Sequence, residues 1–310
     1  MANTGTEATM HALAGARHFT SRRKVIVFSG GYHGAVFSFP DGRPATNTVD
    51  KEDFVVVSRY NDIDLAVKTI KSTPDLAAVL VEPMQGAGGC IPGTKGFLHA
   101  IQDAGYEVGA LFILDEVMTS RLAPHGLGFE LGLKPDLVTM GKYLGGGLAF
   151  GAFGGRGEVM AMYDPRLKGS LAHSGTFNNN TLVMSVGYEA LKRVFTEETC
   201  VALNERGERL RGRLEKVTKG TRVKFTGRGS LIGLHFVDGV VENITCGEDI
   251  QGKERRDLRD LFWFEMLEEG FWTTRRGFVA LILETEEHEL GGFVEAVGRF
   301  VDRHRDIMAA

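Results

Sequence analysis

Apolar residues in this chain gather into short continuous runs, with polar or glycine-rich punctuation between them, and into longer stretches with helical spacing. The runs at residues 24–28, 54–57, 76–81, 111–114 and 137–140 are dominated by Val, Ile, Leu and Ala, with little polar alternation. Such runs read as strands buried on both faces, the pattern of a parallel sheet. Between them lie helical patterns: one carrying Met10, Leu13, Ala14 and Ala16, and others at residues 63–70, 96–104 and 181–194. Strands and helices in alternation predict an α/β fold, with a mostly parallel central sheet flanked by helices. The texture changes after Phe195. Amphipathic helices are predicted at 203–217, 258–269 and 286–304, and strands at 223–225, 231–237 and 278–283. A polar, flexible loop is predicted at 238–253.

Composition narrows the class. The 310 residues are 43% hydrophobic and 25% charged, as in soluble globular proteins. A net charge of −4 supplies no basic field for nucleic acid. No apolar run reaches membrane-spanning length, and residues 1–19 lack the basic-then-apolar layout of a signal peptide. Cys90, Cys200 and Cys246 are widely spaced, which predicts reduced thiols and a cytoplasmic location. The nine histidines never pair at ligand spacing with Cys or carboxylates, so no metal is expected.

The chemistry-bearing residues sit where the predicted strands end. The run at 111–114 stops on Asp115-Glu116, and the run at 137–140 stops on Gly141-Lys142, 27 residues after Asp115. Open α/β sheets place their ligands at such ends. Glycines at 145–147, 151, 154 and 155 leave room beside the lysine for something flat. A lysine there is either solvated or tied up as a Schiff base, with the aspartate either capping a helix or holding a pyridine nitrogen. Thr4-Gly5-Thr6 opens the first helix. It is an ordinary cap or an anion site made of free N–H groups and hydroxyls.

Leu114-Asp115-Glu116-Val117 followed by Thr139-Met140-Gly141-Lys142 resembles the class III aminotransferases of the fold-type-I pyridoxal phosphate family, in the version closest to the glutamate-1-semialdehyde aminomutase branch. The resemblance covers nearly the whole chain. It implies a seven-stranded type of sheet in a large pyridoxal phosphate-binding domain (residues 1–200) and a small C-terminal α+β domain (201–310). It implies that Lys142 binds the cofactor and shuttles a proton, with Asp115 on the ring nitrogen. Thr4, Gly5 and Thr6 would form the phosphate cup, with Thr4 standing where the family usually has serine. Tyr32 would stack on the ring, with His33 beside it, Val117 on the opposite face and Gln85 at the ring oxygen. Thr176 would bind the phosphate of a partner subunit, so that a homodimer shares its active sites. Ala87 stands where ornithine- and GABA-type relatives carry a gating glutamate, so no such gate is expected.

Arg275 or Arg276 could clamp a substrate carboxylate. That pair favours a transaminase acting between an amino acid or amine and a keto acid or aldehyde, ahead of an intramolecular aminomutase. The family's cup motif lies well inside the chain, whereas this sequence begins almost on it. The sequence is therefore expected to lack the N-terminal segment, which leaves a non-catalytic accessory subunit as a third reading. His125 reads as a solvated loop histidine.

Overall fold

The apolar runs become strands because both their faces are covered. The computed structural model describes residues 1–309. Strands β1 (Lys24–Phe28), β2 (Phe54–Val57), β3 (Leu76–Val81), β4 (Leu111–Asp115) and β5 (Leu137–Gly141) are parallel, in the order β2-β1-β3-β4-β5. A sixth strand, β6 (Gly151–Gly155), runs antiparallel to β5. Among the described residues this sheet has six strands, where the resemblance implies seven.

Every residue of β3 is buried. Successive side chains alternate between the two faces. On one face, Val25, Val27, Leu80, Ile113 and Leu137 form a cluster with Ala12, Leu13 and Ala16 of α1 (Gly5–Thr20). On the other, Phe28 meets Tyr60 and Phe97, the latter on α3 (Lys95–Glu107), edge to face at 4.9–5.9 Å between ring centres. α2 (Ile63–Ser72) starts on Asp62, whose side chain accepts from Leu65 N. α4 (Thr181–Arg193) starts on Asn180, whose side chain accepts from Leu182 N and Val183 N.

Strand β6 was not predicted, because GAFGG lacks the β-branched signature of a strand. Glycine is required there by close backbone approach. A Cβ on Gly155 would run into the Asp136 carbonyl, and one on Gly151 into the Thr4 carbonyl. Gly151 also exchanges two hydrogen bonds with Ala2, at 2.7 and 3.0 Å, which docks the residues before α1 onto the sheet.

The chain divides into two units, Met1–Gly88 with Gly93–Glu197, and Gly89–Pro92 with Glu198–Ala310. In the second, β7 (Val223–Arg228) and β8 (Leu231–Phe236) form a hairpin, and β9 (Phe278–Ala280) pairs with β8. Helices α5 (Glu197–Val217), α6 (Arg256–Glu268) and α7 (Glu287–Arg303) complete it. Phe236, Phe262 and Phe300 meet at its centre, 5.2–6.2 Å apart. Two expectations are corrected here. Strand β9 stops at Ala280, and Leu281 N bonds to Ser230 O beyond the strand pairing. The polar segment 238–253 is no plain polar loop: Val241, Ile244 and Ile250 pack on Val237.

The close approach at β6 makes a test. We expect Gly151→Ala to cost about 2 kcal/mol or more in urea denaturation, because backbone must move. Gly154→Ala, whose Cβ would meet nothing within 4 Å, should stay within about 0.5 kcal/mol of wild type.

Candidate active site

Parallel strands put all their C-terminal ends on one edge. The turn after β1 carries Tyr32 and His33, β3 is followed by Glu82, β4 ends on Asp115, and β5 is followed by Lys142. The sheet order reverses between β1 and β3, and the connections leaving those strands diverge there.

Asp115 is 3% exposed and fully engaged. Its Oδ2 accepts from His33 Nδ1 at 2.7 Å, and its Oδ1 accepts from Val117 N at 3.0 Å. His33 is itself fixed, since its backbone N–H donates to Phe37 O at 2.8 Å. Burial alone would lower the His33 pKa, but the hydrogen bond and charge of Asp115, with the charge of Glu82, outweigh it and raise it. Glu82 is buried and accepts from Tyr32 N (3.2 Å) and Gly86 N (3.1 Å). Burial pushes its carboxyl up to about 7; the His33 charge opposes that and the Asp115 charge adds to it.

The first turn of α1 meets this group through glycine. A Cβ on Gly5 would fall 2.8 Å from Val117 Cγ1, and one on Gly141 would fall 3.5 Å from both Gly5 N and Val117 Cγ1. Gly5, Val117 and the residue before Lys142 therefore touch. Thr4 caps the helix by accepting from Glu7 N at 3.1 Å, and Ala8 N reaches Thr4 O at 3.0 Å. The two N–H groups ahead of these, on Gly5 and Thr6, lie beyond the reach of the helix's own carbonyls. Thr6 Oγ1 accepts from Ala35 N at 3.1 Å, which ties the turn around Tyr32 and His33 to the helix start.

Tyr32 is 43% exposed. Gln85 is buried: its Nε2 donates to Ser29 O at 2.7 Å, while its Oε1 has no hydrogen-bond partner among the described residues. Lys142 is exposed and sits at φ 54°, in the left-handed region that costs an L-residue about 1–2 kcal/mol. Thr176 is exposed. Its loop rests on the N-terminal residues, with Asn3 Nδ2 donating to Asn178 Oδ1 at 3.0 Å and His173 Nε2 2.8 Å from Met1 O.

In the second unit, the Arg275 guanidinium forks onto Asp260 at 2.6 and 2.9 Å and lies over Trp263, while Arg276 lies over Phe278. His125 is exposed, 3.7 Å from Glu197 Oε1.

Sequence reasoning gave Glu116 no role. Its carboxylate accepts from Gly128 N (2.7 Å), Leu127 N (3.1 Å) and Thr119 Oγ1 (2.9 Å), which pins the loop leaving β4. Two adjacent acids at a strand end point to opposite sides, which was the available signal.

The pattern of the family Aminotransferase class-III matches residues 43–290. That decides the family. The chain belongs to the class-III aminotransferases. A beta-phenylalanine transaminase of Variovorax paradoxus is 51% identical over 97% of this chain and 68% of its own length. A glutamate-1-semialdehyde 2,1-aminomutase of Anoxybacillus flavithermus is 34% identical over 99% of this chain and 74% of its own length. The crystal structure of a beta-phenylalanine aminotransferase from Variovorax paradoxus superimposes with a TM-score of 0.94, covering 99% of this chain and 70% of that one at 50% identity. The class III aminotransferase is thus a fold-type-I enzyme that uses pyridoxal 5'-phosphate to move an amino group between an amino acid or amine and a keto acid or aldehyde. Among its described residues no helix is long and apolar enough to cross a membrane.

Two expectations follow for the cofactor-free enzyme. Glu82 and His33 both hold a proton more tightly folded than unfolded, so their contribution is full in mild acid and lost as pH rises through the folded values. For Glu82 the window runs from about 4.5 to about 7 and is worth about 3 kcal/mol. Urea midpoints should fall across that window, and Glu82→Gln should flatten most of the slope; an equally steep slope in the variant would contradict the assignment. Second, Lys142→Gly should be about 1 kcal/mol more stable than Lys142→Ala, because glycine alone is relaxed at positive φ.

Proposed function

We propose that this aminotransferase takes its amino group from a β-amino acid bearing an aryl side chain and passes it to a keto acid, with Lys142 and Asp115 at the reacting centre. One observation carries the site reading. Asp115 is buried and held from two sides at the end of β4, and the neighbouring parallel strand leads into Lys142. The substrate class is supported by 51% identity to the beta-phenylalanine transaminase.

The residues fit pyridoxal phosphate. Gly5 and Thr6 offer N–H groups at the positive end of α1 for a phosphate, with the hydroxyls of Thr4 and Thr6 beside them. Side chains larger than hydrogen at Gly5 would fill the space against Val117. Gln85 is a buried amide whose Nε2 donates one N–H to Ser29 O and carries a second, the kind of donor a ring oxygen would accept from. When bound, the cofactor supplies an electron sink conjugated to the substrate amine.

The chain's own residues do the rest. Lys142 Nζ would hold the cofactor and, in the reaction, would take and return the proton of the carbon bearing the substrate amine. Asp115, backed by His33, would hold a proton on the ring nitrogen. Tyr32 and Val117 would hold the two ring faces.

Thr176 serves the phosphate site of a partner subunit in a cytoplasmic homodimer. The exposed Leu182, Tyr188 and Val194 along and just after α4 support a partner surface. Arg275 or Arg276 meets the substrate carboxylate; for Arg275 this requires exchanging Asp260 for the substrate. Residues 1–200 and 201–310 serve as cofactor and small domains.

Product analysis with an aryl β-amino acid tests the reading. We expect amine transfer only with added keto acid, and a loss of about 100-fold or more in Lys142→Ala and in Asp115→Asn. Transfer without an acceptor would favour the aminomutase supported by the 34% relative. Cofactor binding without either turnover would favour an accessory subunit.

A further inference from the structure

Glu82 has no assigned place in the cofactor site, yet it touches two of that site's turns. Its Oε2 takes Tyr32 N at 3.2 Å and its Oε1 takes Gly86 N at 3.1 Å. Tyr32 lies in the connection leaving β1; Gly86 follows Gln85 in the connection leaving β3. Those are the two connections that diverge where the sheet order reverses. The main chain of Glu82 is anchored as well, its carbonyl accepting the Tyr60 hydroxyl at 2.7 Å. The carboxylate is therefore a fixed post with one turn attached to each oxygen.

We infer that Glu82 is a positioning residue of the cofactor site: its two carboxylate oxygens staple the Tyr32 turn to the Gln85 turn, so that the stacking side and the ring-oxygen side of the pocket are set as one unit. This rests on the proposed cofactor roles of Tyr32 and Gln85. Gln85 makes a second bridge, Nε2 to Ser29 O at 2.7 Å, but that bond uses the ligand-facing side chain itself. Only an ionised carboxylate accepts both N–H groups in full. An amide accepts at its oxygen and turns an NH2 toward the other N–H, leaving that donor unpaired in a buried place. The charged and titratable groups facing Glu82 are His33, Asp115 and Tyr60. Because burial holds the Glu82 carboxyl near 7, the staple closes fully only above neutral pH.

The test uses the full chain and two readouts. Amide hydrogen exchange, resolved at Tyr32 and Gly86, is compared between cofactor-free wild type and Glu82→Gln at one pH above neutrality. Pyridoxal phosphate affinity is measured by equilibrium dialysis for both, with Lys142→Ala as control. We expect exchange at both amides to speed up about tenfold in Glu82→Gln with α1 and α3 unchanged, and the cofactor Kd to rise about tenfold. Acceleration at one amide only, or at neither, overturns the staple. So does an unchanged Kd while Lys142→Ala weakens binding. If Lys142→Ala binds as wild type does, the site reading fails, and the exchange data alone judge the staple. Should Glu82→Gln not fold, wild type decides: protection at the two amides, corrected for intrinsic rates, should fall in parallel between about pH 8 and 6. Constant or independent protection overturns the proposal.

Discussion

A carboxylate sunk at the end of a central strand has to be compensated, and much of this site is that compensation. Stripping water from a charge costs several kcal/mol unless partners replace it. Asp115 recovers that cost from His33 on one oxygen and Val117 N on the other. Both partners are themselves fixed, His33 by a turn closed onto Phe37 and Val117 by packing on Gly5. A single buried charge thereby organises the turn after β1, the loop after β4 and the first residue of α1. These pieces lie far apart in sequence and converge because every parallel strand ends on the same edge.

The two buried acids of this cluster have different partners. His33 carries at most one positive charge, and Asp115 holds it at 2.7 Å. Glu82 is left with two backbone N–H groups, which stabilise an anion less than a cation does. Burial is the largest influence on Glu82 and pushes its carboxyl up to about 7.

Much of this was legible in the sequence, for a physical reason. Strands buried on both faces have to be continuously apolar, so β1 to β5 announced themselves, and polar residues at their ends marked the edge where Glu82 and Asp115 are buried. What escaped was what depends on a partner elsewhere. Strand β6 is glycine-rich because Thr4 and Asp136 press their carbonyls against it, and no local signal encodes that. That Glu82 holds the backbone of its own loop, as it does at Gly86 N, was within reach of the sequence; its bond to Tyr32 N needed the turn after β1 folded back onto β3. Arg275 looked like a free clamp, and its pairing with Asp260, 15 residues earlier, follows only from α6 lying beside it.

Lys142 shows how the sheet sets the remaining piece of the site. A side chain at φ 54° is held against its own preference, so its surroundings must over-determine it. They do. Gly141 before it is paired in register with Gly151 of β6, which is bonded in turn to Ala2. Gly146, four residues on, turns at φ 62°. The lysine is thus clamped between a paired strand end and a glycine turn. The residues that open α1 are fastened to the same strand β6. In the proposed reading, the group that would hold the cofactor's aldehyde carbon and the group that would hold its phosphate therefore share one backbone support. Their spacing is held by β-sheet hydrogen bonds together with the packing of Val117 on Gly5 and Gly141.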